Sequence, residues 1–158
     1  MSLDSFIDFQ DPKLHAAALV IPLCPLIWNI LARAEFYTKI LTKLALGNRY
    51  VGCYLLATWI FCFSLYRDYL FSQAVASQPK LSFLKENENL FYYIGYGIIG
   101  LGGALVVPSM YQLGVTGTYL GDYFGILMDN MVTSYPFNVM NNPMYDGASI
   151  CFLGQAIA

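Results

Sequence analysis

The sequence predicts an all-α integral membrane protein, with a re-entrant or kinked first helix, further transmembrane helices and a fourth helix cut short. Three observations carry that prediction. Of 158 residues, 58% are hydrophobic and only 11% are charged, the mean hydropathy is +0.53, and the uncharged residues gather into windows of helical spanning length. Roughly a quarter of a soluble domain is charged, so a soluble core and a disordered chain are both excluded. A net charge of -2 offers no basic field for nucleic acid phosphates.

The charge-free windows are 14–32, 50–66, 89–121 and 147–158. The first is long enough to span but holds Pro22, Pro25 and Asn29. Two prolines three apart remove backbone donors that lipid cannot replace, so 14–32 is expected as a kinked or re-entrant helix. The stretch that follows carries Arg33, Lys39, Lys43 and Arg49. If 14–32 is re-entrant, this stretch is expected on a membrane surface with Phe36, Ile40, Leu44 and Leu46 turned inward. The second window becomes a transmembrane helix over 50–71, with its last residues at the interface, and the third gives a transmembrane helix over 90–112. The fourth, 149–158, is the start of a last transmembrane helix, too short here to cross. No repeat or linker divides the chain, so 1–158 reads as a single membrane domain.

Lysine and arginine resist translocation, and none lies beyond Gly121. The start of the third helix and the 67–88 connection are therefore expected in the cytosol, with Asp122, Asp129 and Asp146 on the opposite side. Asp4, Asp8 and Asp11 precede Lys13, unlike the basic start of a cleaved signal. The first apolar segment is expected to stay in the mature protein. Cys24, Cys53, Cys62 and Cys151 form no paired motif and read as reduced thiols, with no metal site expected.

Three stretches could carry chemistry. Gly100, Leu101, Gly102 and Gly103 follow Gly95 and Gly97 in one helix. Such glycines allow either helix packing, for which Gly95, Ile99 and Gly103 have a suitable spacing, or close approach of a ligand. No Rossmann fingerprint is present. The run from Gly117 to Gly125 alternates glycines with Tyr119, Tyr123 and Phe124 around Asp122. Its rings suit the headgroup level, and a carboxylate among aromatic faces also suits a cationic amine. The run from Tyr135 to Gly147 holds Pro136, Pro143, Asn138, Asn141 and Asn142, which explains a structured turn into a helix. His15, the single histidine, reads as structural, and no nucleophilic triad can be built around it.

Together these stretches resemble the small phospholipid N-methyltransferases of the phosphatidylethanolamine and phosphatidyl-N-methylethanolamine type. The resemblance covers nearly the whole chain. It is carried by Asp11-Pro12, the Pro25 to Arg33 run, the Phe71 to Pro79 run, Gly100-Leu101-Gly102, the Gly117 to Leu127 run, and Pro136 to Val139 with Asn142 to Tyr145. It implies methyl transfer from S-adenosyl-L-methionine to phosphatidylethanolamine and its mono- and dimethyl derivatives, giving phosphatidylcholine. The implied partners are a membrane phospholipid and the bilayer, in the endoplasmic reticulum or a mitochondrial membrane.

The resemblance further implies that Gly100, Leu101 and Gly102 contact the methyl donor. Asn142, Pro143, Tyr145 and Gly147 match a signature before the final helix of related membrane methyltransferases, and are expected near it too. Asp146 occupies a position often aromatic in the family. The proton acceptor is not identified by the resemblance; Asp122 is the first candidate and Asp146 the second. Family members continue to a Glu-Glu pair at the other end of the donor site, which residues 1–158 do not include. That departure keeps a non-catalytic membrane scaffold as the alternative to an enzyme. A small transporter is disfavoured by the lack of an intramembrane charge relay.

Overall fold

The computed structural model describes residues 7–79 and 85–158. Among them the regular structure is helical throughout: α1 (Pro12–Thr38), α2 (Ile40–Leu44), α3 (Arg49–Ser77), α4 (Glu88–Thr118), a 3-10 turn (Gly121–Phe124) and α5 (Pro143–Ile157). The first two charge-free windows fall within α1 and α3, and the last two lie within α4 and α5 except for residues 119–121 and 158. Charge exclusion and helix formation share one cause, because lipid demands that backbone groups be satisfied within the segment.

The first segment, expected as kinked or re-entrant, lies within one continuous helix. α1 has 27 residues with Pro22 and Pro25 inside it, about 40 Å at the helical rise. Asn29 Nδ2 donates to the Pro25 carbonyl at 2.8 Å. α1 and the helical stretch Glu88–Phe124 are long and apolar enough to cross a membrane. Only 11% of the most apolar stretch of each is buried within the protein, whereas the core helix of a soluble protein would be mostly covered. Small side chains such as Ala17, Cys24, Ala32, Ala57 and Ala74 point inward, while Leu19, Leu26, Ile30 and Leu101 point outward. Lipid solvates large apolar groups, so close helix approach favours small ones.

Local chemistry sets the helix ends. Pro12 opens α1 without losing a needed donor, and Asp11 Oδ1 accepts the Lys13 backbone N–H at 2.9 Å as an N-cap. Asn48 Oδ1 caps α3 through the N–H groups of Tyr50 (3.0 Å) and Val51 (3.3 Å). At α2 the cap comes from within α1. Lys39 precedes α2 in a left-handed conformation with no side-chain cap of its own. Glu35 instead accepts the N–H groups of Leu41 (2.7 Å) and Thr42 (3.2 Å) and the Thr42 hydroxyl. This carboxylate is fully buried. Phe36, Ile40, Leu44 and Leu46 are exposed, leaving their apolar surfaces uncovered by the chain itself.

The chain forms two compact units. One comprises residues up to Ala18 with Tyr69–Ser109 and Thr133–Ala158; the other comprises Leu19–Asp68 and Met110–Val132. In the first, α4 and α5 pack antiparallel: a Cβ on Gly95 would meet Gly154 and Ala158, and one on Gly102 would meet Gly147 and Cys151. Gly95, Gly102 and Ser109 are the buried residues of α4, opposed by Pro143, Gly147 and Gly154 on α5. The seam repeats every seven residues, as in left-handed helix pairs. Of the expected Gly95, Ile99 and Gly103 spacing, Gly95 and Ile99 lie on this seam, where a Cβ on Gly154 would meet both, whereas Gly103 does not, because a Cβ there would meet nothing within 4 Å. Steps of four drift off the seam, whereas alternating steps of three and four stay on it.

In the second unit Cys53, Leu56, Ile60 and Phe124 form the buried core, with Trp28, Leu31, Trp59 and Tyr119 packed around it. Phe124 is only 3% exposed, so this ring anchors the 3-10 turn in the protein instead of settling at the headgroup level. Gly114 breaks α4 with φ 64° and ψ -176°, after which the chain turns toward Asp122.

Candidate functional site

The two glycines of the Gly100-Leu101-Gly102 motif face different ways, because two residues advance about 200° around a helix. Gly102 is buried, and a Cβ there would lie 2.5 Å from both the Gly147 carbonyl oxygen and Cys151 Sγ. Gly100 is exposed, as is Leu101, and Cβ atoms on Gly97, Gly100 and Gly103 would meet nothing within 4 Å. The outer side of α4 is thus left open where its partner side is closed.

The Asn142 to Gly147 stretch divides in the same manner. Pro143 and Gly147 are buried in the seam, while Asn142, Tyr145 and Asp146 are exposed. Gly147 and Gly102 meet directly, so the structure brings these two sequence-distant motifs onto one helix pair. Ahead of α5, Pro136 is fully buried and the Tyr135 hydroxyl donates to the Ala104 carbonyl at 3.1 Å. Ala104 lies one turn beyond Gly100. The sequence predicts a structured turn at Tyr135 but not this contact.

Asp122 lies in the other unit. It lines a cavity of about 330 Å³ with Arg33, Phe36, Tyr37 and Tyr123. Neighbouring cations hold the turn that carries it: Lys39 Nζ donates to the Tyr123 carbonyl (3.4 Å) and Arg49 Nη1 to the Gly125 carbonyl (3.2 Å). Arg33, Phe36 and Tyr37 are not recognisable as site residues from sequence motifs alone. The signal available was an arginine with two nearby aromatic rings at the end of an uncharged window. His15 Nε2 donates to the Phe9 carbonyl at 2.7 Å, which gives it a local structural bond.

The phospholipid methyltransferase family matches residues 90–158. The chain is 48% identical to phosphatidyl-N-methylethanolamine N-methyltransferase of Saccharomyces cerevisiae, over 96% of this chain and 72% of that protein. It is 45% identical to the enzyme of the same name from Neurospora crassa, over 98% and 72%. The chain belongs to the phospholipid methyltransferase family. Another relative, phosphatidylethanolamine N-methyltransferase of Rattus norvegicus, is 42% identical over 96% of this chain and 75% of its own length. No solved structure is significantly similar.

The family-matched segment contains α4 from Leu90 onward and all of α5. Methyltransferase membership implies a methyl donor, and on the outer side of α4 the backbone at Gly97, Gly100 and Gly103 is unshielded by any side chain of its own and open to close approach. Gly102 and Gly147 do not offer such a surface, since each already abuts the other helix.

Proposed function

We propose that this phospholipid methyltransferase transfers methyl groups from S-adenosyl-L-methionine to phosphatidylethanolamine and its mono- and dimethyl derivatives, producing phosphatidylcholine in the endoplasmic reticulum membrane. The observation that carries this reading is the 48% identity, over 96% of this chain, with an enzyme named for N-methylation of phosphatidyl-N-methylethanolamine.

Gly100, Leu101, Asn142 and Tyr145 are the residues to contact the donor. Gly102, Pro143 and Gly147 act beneath them, holding α4 and α5 at the spacing that keeps the outer residues in place. When bound, the donor supplies a methyl group on a sulfonium that carries its own leaving group. The chain's task is therefore alignment and exclusion of water. The open glycines permit close backbone contact, and the exposed Tyr145 ring provides a flat apolar face. The amine must surrender a proton before its lone pair is available, and a carboxylate can accept it. Asp122 is the first candidate, as a carboxylate beside aromatic rings, and Asp146, next to Tyr145, is the second.

Transfer of labelled methyl from S-adenosyl-L-methionine, in membranes lacking this activity, tests the reading. Unmethylated, monomethyl and dimethyl acceptor lipids are offered separately, and labelled phospholipid is expected. No labelled lipid from any acceptor would overturn the function. A glycosylation tag in the 67–88 connection tests orientation; it is expected to remain unmodified.

A further inference from the structure

The cavity around Asp122 combines opposite charges that do not neutralise one another. Arg33 and Asp122 line the same space, yet neither forms an ion pair with any described residue. The nearby cations differ in this respect, because Lys39 and Arg49 already bond carbonyl oxygens. Glu35, the other carboxylate of this region, is occupied by the first turn of α2.

Aromatic rings form the remaining wall. The Phe36 ring stands nearly perpendicular to Tyr37, with centroids 5.3 Å apart, and to Tyr123, with centroids 6.3 Å apart. Lys39 Nζ lies 5.7 Å from the Phe36 centroid, so one cation already sits against this aromatic group. Ring faces and a carboxylate attract an ammonium ion without requiring directed N–H donors. That distinction matters for an amine that loses donors with each methyl it gains.

Resting on the proposed phospholipid methylation, the geometry points to this cavity as the binding site for a zwitterionic phospholipid headgroup, with Arg33 holding the phosphate and Asp122, Phe36, Tyr37 and Tyr123 holding the amine. Separated, unpaired charges match a dipolar headgroup better than a simple anion or cation. Arg33 supplies a planar set of donors suited to phosphate oxygens. The aromatic wall accepts the ammonium at every degree of methylation, including the quaternary product. The cavity volume is at the lower end of the range for small-ligand sites, adequate for a headgroup whose acyl chains remain in the bilayer.

Calorimetric titration of the detergent-solubilised full chain tests the site without requiring turnover. Short-chain phosphatidyl-N-methylethanolamine, phosphatidylcholine and phosphatidylglycerol are used in separate titrations. The two zwitterionic lipids are expected to bind more tightly than phosphatidylglycerol. Asp122→Asn should erase that preference, and Arg33→Gln should weaken all three by about tenfold or more, as loss of a charge-assisted contact implies. Asp122→Glu and Arg33→Lys should recover part of the loss, separating headgroup recognition from misfolding. Unchanged binding in Asp122→Asn and Arg33→Gln, equal binding of phosphatidylglycerol, or no lipid binding by the unaltered chain would overturn the site. Methyl transfer measured on the same unaltered sample judges the functional reading separately, since lipid binding without transfer would overturn that reading and leave the headgroup site standing.

Discussion

Gly102 and Gly147 close the α4–α5 seam on each other: a Cβ on Gly102 would come 2.5 Å from the Gly147 carbonyl oxygen, and one on Gly147 would come 2.7 Å from the Gly102 carbonyl oxygen. Both obstructing atoms are backbone, so a side chain at either position must push the helices apart. Gly100, two residues from Gly102, has open space where its side chain would be. The motif therefore joins a packing position to a free one.

The corresponding variants should fail differently. Gly102→Leu is expected to lower the melting temperature in detergent, with an overpacking cost of about 1–3 kcal/mol or more, and to lose methyl transfer along with it. Gly100→Leu should retain the melting temperature while losing donor binding, because its side chain occupies the outer surface alone. Thermal unfolding beside donor titration checks the pair. Loss of stability in Gly100→Leu, or normal donor binding by it, would contradict the division.

Glu35 gives a prediction at the other end of the chain's chemistry. Its carboxylate is buried and serves two backbone N–H groups and the Thr42 hydroxyl. Glu35→Ala strands those donors, at about 1–3 kcal/mol for each buried group left unmatched. Glu35→Gln keeps a carbonyl acceptor and should cost less. Detergent melting curves are expected to rank the unaltered chain above Glu35→Gln and Glu35→Ala last; equal stability of all three would remove the proposed cap.

The helices were legible because lipid excludes charge over the same lengths that helices need to cross it. The way they pair was less so. A run with Gly95, Gly97, Gly100, Gly102 and Gly103 contains several possible small-residue stripes, and only α5 selects the one that uses Gly95 and Gly102. Glu35 was hidden for another reason: its neighbours Arg33 and Lys39 make the segment read as a basic amphipathic stretch on a membrane surface, whereas its partners are the Leu41 and Thr42 backbone N–H groups and the Thr42 hydroxyl after a left-handed Lys39. Asp122 could be recognised beside Tyr119 and Tyr123, which are local in sequence. Arg33, Phe36 and Tyr37 join it only through folding. The expectation of donor contacts at Gly100 and Tyr145 rests on family resemblance; composition alone offers packing and ligand binding together.

Asp11 couples the start of α1 to the end of α3. The Ser77 hydroxyl donates to its carboxylate, the Lys13 backbone N–H adds a bond at 2.9 Å, and Gln78 Nε2 adds another at 3.2 Å. Ser77 first, then Lys13, holds the carboxyl below its ordinary value of 3.8, aided by Gln78. A lowered folded-state value means the ionised form favours folding. Its contribution is complete above the ordinary value and disappears as pH falls through the lowered one. Melting temperatures between pH 6 and 3 should thus decline more steeply below about 4 for the unaltered chain than for Asp11→Asn. Parallel pH profiles would argue against this coupling.

Gly114 offers a backbone test free of packing changes. Its φ of 64° and ψ of -176° lie in a region that is essentially glycine-only, yet a Cβ there would meet nothing within 4 Å. Gly97 has the same open space without the unusual φ. Gly97→Ala should be neutral or stabilising by up to about 1 kcal/mol, because alanine favours a helix over glycine. Gly114→Ala should destabilise by about 1–3 kcal/mol. The latter also lies on the path from α4 into the turn carrying Asp122, so relief of the strain by continued helix would redirect that turn. Gly114→Ala is therefore expected to weaken binding of short-chain phosphatidylcholine as well as stability, while Gly97→Ala leaves lipid affinity unchanged. Equal melting temperatures and affinities for the two alanine variants would show that the break at Gly114 neither stores strain nor positions the turn.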